Sequence, residues 1–144
     1  MLNDDHPLKR LPRGAVQHRT AGPYSPVLEI NAERLVVLSG QVAVNLDGRV
    51  IGNTMEEQAE ATLANCRRQL AAAGCDFRDV FKVNIYLADL SEWSRFNAIY
   101  EKSMPTPLPV RTAVQAVLLD GYRVEIEMWA VKAGKLPTGD ASTD

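Results

Sequence analysis

Two residues in the last third of the chain have the types and placement to do chemistry. Arg111 stands at the mouth of a predicted strand, just after prolines at 105, 107 and 109, and Glu125 stands inside the last predicted strand. A fixed guanidinium holds a small carboxylate through two parallel hydrogen bonds. A glutamate nearby moves a proton or orients a water. Together they point to a small carboxylic acid as ligand and to hydrolysis as the reaction. Each also has a plainer reading: an arginine at a strand end pairs with an acidic neighbour, and a strand glutamate faces solvent or an interface. Glu127 shares the face of Glu125 and reads as structural. Ser39 lies in no Gly-x-Ser-x-Gly elbow, and His6 and His18 fall in a polar N-terminal stretch, so a serine-nucleophile triad is not indicated. The two cysteines and two histidines lack the spacing of a zinc site, and no metal is expected.

The elements that must position these residues are legible from periodicity. Val27–Ile30 and Leu35–Val44 read as strands, the second closed by an Asn45-Leu46-Asp47-Gly48 turn. Thr54 followed by Glu57 is a capping-box pattern. Met55, Ala59, Leu63, Cys66, Leu70 and Ala73 then follow at helical spacing until Gly74. Val80–Ala88 alternates, with Val83, Ile85 and Leu87 on one face and Lys82, Asn84 and Tyr86 on the other. Asp89 or Ser91 caps a second helix carrying Trp93, Phe96, Ile99 and Tyr100, and the three prolines end it. Val110–Leu118 and Tyr122–Lys132 complete the set. A strand, a helix and a strand in that order make a right-handed crossover with parallel strands. The fold class is therefore α+β: a single-layer mixed sheet with two helices on one face. No helix remains to cover the other face, which carries apolar side chains, and this predicts a homo-oligomer.

Asp120-Gly121 is a two-residue hairpin signal. In a simple hairpin Arg111 would share a face with Val124, Ile126 and Met128, while Glu125 pointed away. Arg111 and Glu125 meet only if the turn is not a simple hairpin, if a bulge shifts the register, or if the site forms between subunits.

With 144 residues and a net charge of -2, the chain fits one domain with a core of its own, and it lacks the clustered positive face that nucleic acid needs. Residues 1–20 read as a polar arm in which Lys9, Arg10, Arg13 and Arg19 are solvated, residues 21–132 as the domain, and 133–144 as a flexible tail. Nine residues of helix would part Cys66 from Cys75 by about 13 Å, too far for a disulfide. The thiols read as reduced, Cys66 in the core and Cys75 partly exposed, in a cytoplasmic protein. No apolar run is long enough for a membrane span.

Five segments, in order and with fitting gaps, resemble the Rid/YjgF family of imine deaminases: Ala21-Gly22-Pro23-Tyr24-Ser25-Pro26, Leu38-Ser39-Gly40-Gln41, Asn97-Ala98-Ile99-Tyr100-Glu101, Pro109-Val110-Arg111-Thr112-Ala113-Val114 and Val124-Glu125-Ile126-Glu127. The resemblance covers about residues 20 to 132. It implies a chorismate mutase-like fold, a homotrimer with a barrel-like core and clefts at the interfaces, and no cofactor. The implied activity is hydrolysis of 2-imino or enamine acids, such as 2-aminoacrylate and 2-iminobutanoate, to the 2-oxo acid and ammonia. By position, Arg111 would hold the substrate carboxylate, Glu125 would activate the water, and Tyr24, Ser39, Asn97 and Ala113 would line the cleft. The Arg111–Glu125 segment is one residue shorter than in the family, and one position departs in kind: many deaminases of the family carry cysteine where this chain has Ala113. That departure keeps a different imine substrate open beside a non-catalytic carboxylate-binding role. Ribonuclease activity, attributed to some relatives, is disfavoured by the net charge and the lack of a catalytic histidine.

Overall fold

The structure is a computed structural model that describes residues 5–138. Met1–Asp4 of the arm and the tail beyond Thr138 lie outside the described residues. Thr54 opens the first helix, α1 (Met55–Ala72): its Oγ1 accepts the Glu57 N–H at 3.1 Å and contacts the Glu57 carboxylate at 3.2 Å. The alternating strand is β4 (Val80–Leu87). A short 3-10 turn, Leu90–Glu92, leads into α2 (Trp93–Ser103), with Asp89 accepting the Ser91 N–H at 2.9 Å. The remaining strands are β1 (Lys9–Arg10), β2 (Glu29–Ile30), β3 (Arg34–Val37), β5 (Val110–Gln115) and β6 (Val124–Lys132).

The main sheet runs β3-β6-β4-β5, with β4 and β5 parallel and β6 antiparallel to both its neighbours. Both helices pack on one face. Leu63, Cys66 and Leu70 of α1 and Phe96, Ile99 and Tyr100 of α2 share one core with Val83, Ile85, Leu87, Ile126 and Met128. Each such aliphatic burial contributes about 1.5–3 kcal/mol, so the alternation of β4 fixes which face meets the helices. Cys75 is buried, not partly exposed, and both thiols are free. Burial pushes the Cys66 thiol up to about 12.

The Asp120-Gly121 turn forms, and Tyr122 N–H donates to Leu119 O at 3.0 Å, but no hairpin grows from it. Instead β4 enters between the two chain segments: Leu87 pairs with Gln115 on one side and Val124 on the other. The strand expected over 35–44 is also interrupted. From Val37↔Trp129 to Gln41↔Ile126, four steps on one strand face three on the other. The extra residue is a bulge at Ser39–Gly40.

The arm departs most from its polar composition. β1 pairs with β2 in a second, two-stranded sheet, so the architecture is not a single sheet. Arg10 pairs with Glu29 at the surface, but Lys9 is only 2% exposed. Its Nζ donates to Val80 O at 2.6 Å and Pro107 O at 2.9 Å. His6 meets Asp79 at 2.9 Å and accepts the Leu8 N–H at 3.1 Å.

Burial lowers the Lys9 amine from 10.5 to about 8, against the opposing pull of Asp79. Between pH 8 and 10.5 the unfolded chain therefore binds more protons than the folded one, and stability from this group rises with pH across that window. Below pH 8 the full cost of burying the ammonium applies, on the order of 3 kcal/mol. Denaturant unfolding of wild type and Lys9→Met from pH 7 to 10.5 should show wild type gaining relative to the variant as pH rises. A constant difference would contradict the buried-ammonium account.

Candidate functional site

Arg111 lies on the outer strand β5 and pairs in register with Val83, so its side chain leaves the sheet on the helix side. There α2 receives it. Trp93, Asn97 and Tyr100 lie at i, i+4 and i+7 and form one helix stripe. Arg111 Nη1 donates to Asn97 Oδ1 at 2.8 Å. The guanidinium carbon stands 4.9 Å from the Tyr100 ring centroid, 5.2 Å from Trp93 and 5.4 Å from Tyr24. A cation over a desolvated aromatic face gains about 0.5–2 kcal/mol, so three rings and one amide fix the head in place.

Nη2 has no such partner: it is buried, and no hydrogen-bond acceptor meets it among the described residues. Leaving a buried donor unpaired costs about 1–3 kcal/mol, and more when it is charged. A guanidinium held this way is a candidate anion-binding group. Burial lowers the guanidinium below its usual value, while the two tyrosines oppose that shift; an arginine remains charged nonetheless. Gly22 closes over Nη2, since a Cβ there would lie 3.3 Å from it. At the β5 edge a cleft of ≈ 330 Å³ is lined by Tyr24, Lys82, Asn84, Arg111 and Thr112, of which Lys82, Asn84 and Thr112 stand on the open face of the sheet, opposite the guanidinium.

Ala113 shares the face of Arg111, and its methyl packs against the core. Its backbone does otherwise. Ala116 N–H donates to Leu87 O, so the alternation of a parallel ladder turns the N–H groups of Arg111 and Ala113 to the open edge of β5. At position 113 the main chain, not the side chain, faces the open strand edge.

Glu125 is elsewhere. It pairs with Tyr86 on β4, an odd number of residues from Val83, and so projects from the open face of the sheet. Its carboxylate lies over Gly40: a Cβ at Gly40 would stand 2.9 Å from Glu125 Cδ and closer still to Oε2. The Ser39–Gly40 bulge is the seat of this carboxylate, with exposed Ser39 next to it. Glu127 is engaged instead with its own strand neighbour, its Oε1 accepting from Asn84 Nδ2 at 3.0 Å and Tyr86 OH at 2.8 Å.

The six sequence candidates thus fall into two groups. Tyr24, Asn97, Ala113 and Arg111 gather at the β5 edge, and Ser39 and Glu125 gather on the open sheet face. Inserting β6 beside β4 abolishes the hairpin but leaves Arg111 and Glu125 on opposite faces, so neither topology nor the bulge unites them in one chain. Trp93, Tyr100, Gly22 and Gly40 were not singled out from sequence. The helical stripe ending on Arg111 was the available signal for the first two.

Gly40→Ala should keep the fold, because the atom displaced is the end of a flexible side chain, while pushing the carboxylate off its seat. For a carboxylate that takes part in turnover, a displacement of that size costs about 10–100-fold in kcat. Steady-state kinetics beside a thermal melt checks it, and an unchanged kcat would mean that the seat has no part in the reaction.

The family model described as Endoribonuclease L-PSP matches residues 15–132. A mouse protein named 2-iminobutanoate/2-iminopropanoate deaminase is 39% identical over 113 residues, covering 77% of this chain and 82% of the relative. Among solved structures, a YjgF-family protein from Neisseria meningitidis superposes with a TM-score of 0.63 at 33% identity, covering 80% of this chain and 92% of that one. Yeast Mmf1 gives 0.66 at 30% identity, covering 78% and 90%. A matched family model over most of the chain, the same α+β fold and the ordered motifs agree: the chain belongs to the Rid/YjgF (Endoribonuclease L-PSP) family.

Proposed function

We propose that the protein hydrolyses small 2-imino and enamine acids to the 2-oxo acid and ammonia, without a cofactor, at clefts formed between copies of the chain. The observation that carries this reading is the Arg111 head, held by three rings and Asn97 with a buried Nη2 left for an anion. The deaminase names of relatives such as the mouse protein support the reaction class. Arg111 holds the substrate carboxylate and thereby places the adjacent C=N carbon. Glu125 of a second copy orients a water. The water oxygen bonds to the carbon of the protonated imine as its proton passes to the glutamate. The carbinolamine nitrogen then takes up that proton and leaves as ammonia, while the hydroxyl proton passes to the freed glutamate carboxylate as the C=O forms, and ammonia or solvent then takes it from the glutamate. A protonated imine is already electrophilic, so positioning supplies most of the gain.

The open sheet face fits this assembly. Leu35 and Val37 on β3 are 55% and 58% exposed beside Trp129 of β6, an apolar edge on the face that bears Glu125. A trimer would bury it and bring the two half-sites together. The free, buried thiols suit a reducing compartment such as the cytoplasm. Among the described residues no helix is long and apolar enough to cross a membrane.

The test couples the protein to a threonine dehydratase and follows the imine by semicarbazide trapping. A shortened imine lifetime is expected. An unchanged lifetime with retained binding of 2-oxobutanoate would favour a carboxylate-binding role instead, which the Arg111 half-site supports without Glu125. Failure with this imine but acceleration with another would assign the difference to the cleft around Ala113.

A further inference from the structure

The arm reaches the same site from behind. Lys9 Nζ spans Val80 O, at the start of β4, and Pro107 O, in the loop that enters β5. These carbonyls lie just ahead of the first paired rung of the parallel strands, Lys82↔Val110. Lys9 therefore acts as an added rung where the ladder has not begun. The next two carbonyls of that loop hold the Tyr24 segment: Leu108 O accepts from Ser25 Oγ, and Pro109 O accepts the Ser25 N–H at 3.1 Å. Ser25 follows Tyr24, whose ring faces the guanidinium, and Arg111 follows Pro109 by two residues. Beyond Ser25 the chain returns to β2, which pairs with the strand that carries Lys9. One amine thus braces both walls of the carboxylate clamp.

We infer that Lys9 is a positioning residue for carboxylate binding, acting through the Pro107–Pro109 loop to hold Arg111 and Tyr24 in register. The inference rests on the carboxylate-binding reading of Arg111 given above. Lys9 touches neither the reacting carbon nor the water. Its loss should therefore weaken ground state and transition state alike, which raises KM and leaves kcat in place. A lysine serving stability alone would change the melting temperature and the yield of folded protein, but not the KM of the folded fraction.

The experiment uses the full chain with the dehydratase-generated imine as substrate and 2-oxobutanoate as the calorimetric ligand. Lys9→Met keeps the length of the side chain and removes its donors. KM and the 2-oxobutanoate Kd should both rise about tenfold with kcat within about twofold, the pattern of lost uniform binding. A Trp129→Phe background, which leaves Trp93 as the sole tryptophan, should show a shifted emission in the Lys9 variant, because Trp93 faces Arg111. Should Lys9→Met not fold, Lys9→Ala admits water to the two carbonyls and is read in the same way. Unchanged KM and Kd in a folded variant, beside an active wild type, would overturn this inference alone. A wild type that neither binds 2-oxobutanoate nor turns over imine would overturn the clamp reading, and this inference with it.

Discussion

Arg111→Ala should lower kcat/KM for the imine by about 10²–10³-fold, because two charge-assisted bonds in a desolvated site are together worth on the order of 3–4 kcal/mol. Arg111→Lys should restore little of it. An ammonium offers no planar fork and does not stack between the Tyr24, Trp93 and Tyr100 faces as a guanidinium does. Stability should move differently. Arg111 Nη2 is buried without an acceptor among the described residues, and replacing a half-paired buried cation by an apolar side chain of similar volume is often neutral or stabilising. Arg111→Met should therefore melt at or above the wild-type temperature while losing 2-oxobutanoate binding. Lost activity with a collapsed melting temperature would mean that the arginine holds the fold rather than a ligand. Full activity in Arg111→Ala would end the clamp mechanism.

The second large effect tests where the two half-sites meet. Arg111 and Glu125 leave opposite faces of one sheet, so the proposed site, which uses both, needs two copies of the chain. Arg111→Ala and Glu125→Gln should each be nearly inactive alone. Mixed, unfolded and refolded together, they should regain activity. In a ring of copies, random mixing gives about a quarter of the interfaces an intact Arg111 from one chain and an intact Glu125 from the next. Recovery that requires joint refolding, and is absent when folded samples are merely combined, would establish the shared site. No recovery, with mixed oligomers shown to form, would place catalysis within one chain and exclude the proposed role of Glu125.

Much of this architecture was legible because several signals agreed locally. The β4 alternation names its buried face, Thr54 and Glu57 mark the start of α1, and the strand–helix–strand order requires β4 and β5 to be parallel. The Asp120-Gly121 signal was legible too, and its turn is present with both residues at positive φ. A turn dictates only its own four residues. Whether the flanking strands stay together is decided by what else competes for them, and here β4 outcompetes the pairing. Lys9 shows the same limit from the other side. Its charge predicts solvent, yet two carbonyls left over at the start of the ladder offer it partners that no local pattern reveals. At the candidate site, Arg111 stood out by its type and place and Asn97 by the resemblance, and the structure brings the two into contact. The rings that hold the Arg111 head, Trp93 and Tyr100, look from sequence like ordinary core residues of a helix.

The position of β6 also sets the order in which the molecule can be completed. The last strand of the chain pairs with both β3 and β4, so the sheet gains its centre only after its periphery has been synthesised. Until Val124–Lys132 leaves the ribosome, α1, α2 and the β4–β5 pair can form, but β3 has no neighbour and the inner edge of β4 stays open. Pairings so distant in sequence close slowly, and an open strand edge recruits other chains. The nascent protein therefore passes through a stage in which other copies of itself are its main hazard.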